Sequence, residues 1–74
     1  MLENLKQTAQ RLQEKRKLNI AETNVLIRIF ENRLKKQTNP EDANRVKILI
    51  TKAKDTLKEF EREIAEYQEV IDGE

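Results

Sequence analysis

Thr38-Asn39-Pro40-Glu41-Asp42 is the one strong interruption in a chain of 74 residues that otherwise reads as helix, and its chemistry decides the fold. Proline excludes helical geometry from the residue before it, and it sits well at the first position of a new helix, where its missing N–H is not needed. A first helix should therefore stop near Gln37. Asn39 can accept from the free amides of the turn that follows, and Glu41 and Asp42 place negative charge at the positive end of the helix dipole. The expected elements are helix one over about 2–37, a turn at 38–40 and helix two over about 40–72. Gly73, the only glycine, stands just past the last apolar position, where a helix stop belongs.

Working outward from that turn, Ala43, Val46, Ile50, Ala53, Leu57, Phe60, Ile64, Tyr67 and Ile71 are spaced alternately by three and four residues. Such spacing makes a packing seam. In helix one, Leu2, Leu5, Ala9 and Leu12 set a seam that Arg16 occupies. Ile20, Thr23, Ile27, Phe30 and Leu34 resume it after one extra residue, which reads as a stutter. If the chain reverses once at Pro40, facing residues should have numbers with a constant sum. Leu34 with Val46, Phe30 with Ile50, Ile27 with Ala53, Ile20 with Phe60, Arg16 with Ile64 and Ala9 with Ile71 all sum to 80. Charge agrees: Lys6, Arg11, Lys15, Arg16 and Lys17 would lie beside Glu59, Glu61, Glu63, Glu66, Glu69, Asp72 and Glu74. The reading is an all-α single domain, an antiparallel two-helix coiled-coil hairpin. A three-helix rival starts a helix at the capping-box pattern Asn19-Ile20-Ala21-Glu22 after a break near Leu18.

Composition supports helix over sheet, with 39% charged and 4% aromatic residues and a single proline. There is no histidine or cysteine and no tryptophan, so the commonest general base, thiol chemistry and the usual transition-metal ligands are missing. Carboxylates such as Glu59 and Glu63 read as a solvated helix face rather than an acid–base pair. The expectation is a non-catalytic protein with no cofactor and no metal site. The longest apolar run, Val25-Leu26-Ile27, is too short to span a bilayer, and the first residues lack a signal peptide's apolar core. With no disulfide framework, a cytoplasmic location is expected.

Two seam positions are polar, Arg16 and Thr23. Arg16 is expected to lay its stem along the seam and reach Glu61 or Glu63, fixing the register. Conversely, Val25, Ile29, Ile48 and Leu49 are apolar outside the seam, with Leu18 and Val70 toward the free end, and a lone hairpin does not need them. Around them residues 28 to 54 hold eight bases (Arg28, Arg33, Lys35, Lys36, Arg45, Lys47, Lys52, Lys54) against Glu31, Glu41 and Asp42. The candidate partner-binding set is Val25, Arg28, Ile29, Arg45, Lys47, Ile48, Leu49 and Lys52. Dimerisation to a four-helix bundle and binding of a different protein are the two ways to cover it. The alternative is a small homodimeric nucleic-acid-binding regulator whose basic residues track phosphates. Against it stand a net charge of only +1 and no aromatic side chain interleaved with the bases.

Leu34-Lys35-Lys36-Gln37-Thr38-Asn39, followed by Ile50, Ala53, Leu57, Phe60-Glu61 and Ile64, resembles the second half of the Rho-effector homology repeat, the antiparallel coiled-coil finger of protein kinase C-related kinases. Glu31-Asn32 and Leu34 stand where that family has its glycine-alanine-glutamate-asparagine-leucine signature, with Ile29-Phe30 in place of the glycine-alanine pair. The likeness covers about residues 12 to 71. It implies a module that binds a Rho-type small GTPase through exposed helix faces, here Val25, Arg28, Ile29, Lys47, Ile48 and Lys52.

Overall fold

A computed structural model describes residues 4–73 as two helices, α1 (Leu5–Lys36) and α2 (Pro40–Gly73), packed antiparallel in a rod of 56 × 18 × 14 Å. At 1.5 Å per residue a helix of 34 residues is about 51 Å long, so the rod is one helix long and two helices wide. The all-α hairpin expected from the sequence is the observed architecture. Leu2, which the seam pattern included, lies outside the described residues.

Local chemistry closes each end. Asn4 caps α1: its side-chain oxygen accepts from the Gln7 amide at 2.8 Å, while its own N–H donates to the Gln7 side chain at 3.2 Å. Arg33, Lys35 and Lys36 place positive charge in the last turn of α1, where the dipole is negative. At Gln37 the backbone turns extended (φ −77°, ψ 129°). The Asn39 side chain then accepts from the amides of Glu41 (2.9 Å) and Asp42 (3.4 Å), and Pro40 opens α2.

Helix α1 runs unbroken through Leu18 and Asn19, which overturns the three-helix alternative. The reason lies at Asn19, whose side chain does not cap a helix. Its Oδ1 accepts from Arg16 at 3.0 Å and its carbonyl accepts from the Thr23 hydroxyl at 2.8 Å.

The seam of α2 is as the spacing implied: Val46 is buried, and the other eight positions from Ala43 to Ile71 are half-buried. The seam of α1 differs from expectation in its first half. Leu5 is 67% exposed, while Gln13 is only 8% exposed. The buried line is Ala9, Gln13, Arg16, Ile20, Thr23, Ile27, Phe30 and Leu34, which keeps the three–four alternation throughout with no stutter. Gln13 can take the place expected for Leu12 because its amide nitrogen donates across the interface to the Ile64 carbonyl (3.2 Å) and the Gln68 side chain (2.9 Å). A buried amide that is bonded avoids most of the desolvation penalty. The Gln13–Gln68 and Arg16–Glu63 pairs have number sums of 81 and 79, bracketing the constant 80.

The core is thin. Ala9, Ile27 and Val46 are its buried apolar residues among those described, and none is fully enclosed.

Candidate interaction surface

With the seam fixed, helical periodicity places every other residue. Writing the seam as heptad positions a and d, positions e and b form one flank of the rod, g and c the other, and f the two backs. Two cross-helix bonds confirm the arrangement. Arg16, at d, reaches Glu63, at g, while Gln13, at a, reaches Gln68, at e.

The two flanks are chemically opposite. The e/b flank carries Gln10, Lys17, Asn24 and Glu31 from α1 and Lys47, Lys54, Glu61 and Gln68 from α2 nearest the seam, with no large apolar side chain anywhere on it. The g/c flank carries Leu5, Leu12, Leu26 and Ile29 from α1 and Leu49 and Val70 from α2. Leu26, Ile29, Leu49 and Val70 are each between 41% and 48% exposed: the hairpin covers about half of each and leaves the rest in water.

The expected partner-binding residues divide among these surfaces. Ile29, Arg45, Leu49 and Lys52 come together on the g/c flank. Val25 and Ile48 fall on the backs of the rod, as does Leu18, all 55% to 60% exposed. Arg28 and Lys47 face the e/b flank. The sequence reading missed Leu5, Leu12 and Leu26 as flank residues, because the first two were assigned to the seam. Extending the strict three–four spacing backward from Ile20 through Arg16 and Gln13 to Ala9 would have found them.

Across the middle third of the rod the g/c flank turns polar. Arg16 and Glu63 form an ion pair there, each side chain about a quarter exposed (26% and 27%), and Asn19 and Thr56 sit beside it. The guanidinium also lies 5.6 Å from the Phe60 ring centroid, within cation–π range. Its hydrogen bond to Glu63 raises the Arg16 pKa above the ordinary value, against partial desolvation, which lowers it. Charge is one-sided on either side of this belt. The loop half of the flank has Arg33, Lys36, Arg45 and Lys52 against Asp42, and the free half has Glu22, Glu59, Glu63 and Glu66 against Lys15.

Glu59 and Glu63 do not form a carboxylate pair, since Arg62 holds Glu59 and Arg16 holds Glu63. Among the described residues there is no pocket, no cluster of three or more potential metal ligands, and no helix long and apolar enough to cross a membrane. No protein-family model, no curated protein and no solved structure matches the chain.

Proposed function

We propose that this chain is a non-catalytic protein-interaction module, working in the cytoplasm, whose g/c flank docks a helix of a protein partner. One observation carries the reading: six large apolar side chains outside the seam, Leu5, Leu12, Leu26, Ile29, Leu49 and Val70, share one flank rimmed by charge, while the opposite flank carries none. A helix laid in such a groove buries leucines that the hairpin leaves half in water. The same charge rim gives a partner a preferred direction of approach.

The resemblance to the Rho-effector homology repeat makes a Rho-type small GTPase the first partner to test. Binding of the purified GTPase in its GTP and GDP states should then be lost on Ile29→Glu and retained on Ala65→Glu, which alters the polar flank.

The general reading has its own test, independent of that candidate. The chain immobilised as bait should retain a set of proteins that Leu26→Glu with Leu49→Glu releases and Val25→Glu with Ile48→Glu does not. Indifference to both double variants sinks the reading. The basic loop half supports a second reading, in which Arg28, Lys47 and Lys54 on the e/b flank follow nucleic-acid phosphates. Salt separates the two: phosphate binding falls log-linearly with ionic strength, by a slope of about −0.9 per phosphate neutralised on duplex DNA. Apolar docking should change little over the same range.

A further inference from the structure

The partner of the g/c flank can be specified further, in an inference that rests on the docking role proposed above. We infer that it is a second copy of this chain, laid flank to flank and head to tail, so that the turn of each hairpin lies over the free end of the other.

Surface area points to an occupant of this size. A compact monomer of 8.8 kDa exposes about 4,800 Å². This chain exposes 5856 Å², roughly 1,000 Å² more, and a stable dimer of standard size covers about 800 Å² on each partner. The sequence pattern agrees. Apolar residues at a, d and one flanking position make the broad stripe of a helix in a four-helix bundle, whereas a and d alone suffice for a two-helix rod. Here the extra apolar residues at g are Leu5, Leu12 and Leu26 in α1 and Leu49 and Val70 in α2, so one two-fold axis brings those of both hairpins together.

Charge then selects the direction. Residues 28 to 54 hold eight bases and three acids, a net of +5. The rest of the chain, with the other seven of its 15 bases and the other 11 of its 14 acids, carries −4. Head to head, the two +5 ends would meet. Head to tail, the +5 half of each copy lies along the −4 half of the other, and Lys52 of each copy comes level with Glu66 of the other. Glu59 and Glu66 already touch Arg62, and Arg45 touches Glu41 and Asp42. All of these side chains are at least half exposed, so one such pair is exchanged for another at little cost. Asn19 and Thr56 lie near the middle of their helices, so in the head-to-tail dimer these polar side chains lie beside the two-fold axis. A polar layer at one place penalises a shifted alignment, which would press it against leucine.

The test is the mass in solution by sedimentation equilibrium, from about 1 µM to about 1 mM, the span of weak to moderate affinities. The wild-type mass should rise to twice 8.8 kDa. Leu26→Glu with Leu49→Glu should hold the monomer mass, and Val25→Glu with Ile48→Glu should keep the doubled one. Should the first double variant lose its helical circular dichroism, a charge exchange replaces it. Lys52→Glu, and separately Glu66→Lys, should each shift the mass toward the monomer, and their mixture should regain the dimer mass. Direction is read from a nitroxide at Thr38→Cys. Head to tail, the two labels are separated by close to the 56 Å length of the rod. A wild-type monomer at the highest concentration overturns the inference and leaves the bait experiment to decide the interaction role alone. A short label-to-label distance overturns the head-to-tail arrangement.

Discussion

Replacing Ile27 by alanine and, separately, Leu5 by alanine decides which residues hold the hairpin together. Both substitutions remove a branched aliphatic side chain from α1, and they differ in burial: Ile27 is 8% exposed and Leu5 is 67% exposed. Truncating a buried Ile or Leu to Ala costs about 2–5 kcal/mol, the lower part of that range applying where neighbours can close in, as they can in a rod with no enclosed residue. About 3 kcal/mol is therefore expected for Ile27→Ala. Leu5 retains a third of that burial, so about 1 kcal/mol is expected for Leu5→Ala. Against a total stability of roughly 4–11 kcal/mol for a chain of this length, both variants should fold. Urea unfolding followed by circular dichroism, at concentrations where the mass is monomeric, would give both values from the shift in midpoint at constant slope. Equal costs for the two variants would refute the seam through Gln13 and restore one through Leu5 and Leu12.

Asn39→Ala removes the side chain that accepts from the Glu41 and Asp42 amides, and should lower stability by about 1 kcal/mol in the same urea assay. Thr23→Val removes a hydroxyl that donates to the Asn19 carbonyl of its own helix and puts a methyl group in its place in the seam, so the thermal midpoint should rise. Arg16→Leu should keep or raise the thermal midpoint, since replacing a partly desolvated ion pair by apolar packing is often neutral or stabilising. The same change should broaden the distance distribution between nitroxides at Glu14 and Glu66, because the bond that fixes the alignment is gone; a large loss of stability with an unchanged distribution would count against that role.

The hairpin itself was legible because its two signals are local. Pro40 marks the reversal by steric exclusion alone, and the α2 seam from Ala43 to Ile71 is apolar at nearly every step, so spacing and hydrophobicity say the same thing. In the first half of α1 they disagree. Leu5 and Leu12 are apolar and Gln13 and Arg16 are not, yet the latter pair lies in the seam. What makes Gln13 acceptable there is the Ile64 carbonyl and the Gln68 side chain, 51 and 55 residues away, and no property of Gln13 announces them. Arg16 was readable as a seam residue since its carboxylate was expected among Glu61 and Glu63, and Glu63 is the one it meets. The candidate surface suffered from the same error. Once Leu5 and Leu12 were counted as core, the remaining apolar residues looked scattered, and Val25 and Ile48 on the backs were grouped with Ile29 and Leu49 on the flank.

The polar seam and the apolar flank follow from a single choice of helix rotation. A stutter confined to the first half of α1 would bring Leu5 and Leu12 against α2 and send Gln13 outward while leaving Ile20 to Leu34 in the seam, giving an isolated hairpin with a drier core and a smaller surplus on its flank. That alternative is resisted by directional bonds, because Gln13 and Arg16 find Gln68 and Glu63 in only one rotation and one alignment, and a mispaired arginine at the seam would lose its carboxylate while still desolvated. Bonding thus holds leucines in water that hydrophobic packing within one chain would draw in. The cost falls on the single hairpin, as a thin core in a chain already near the lower size limit for independent folding. A second apolar surface that covers the g/c flank recovers it, which is why the half-exposed Leu26 and Leu49 should respond to substitution more strongly in the assembled state than their burial in one chain allows.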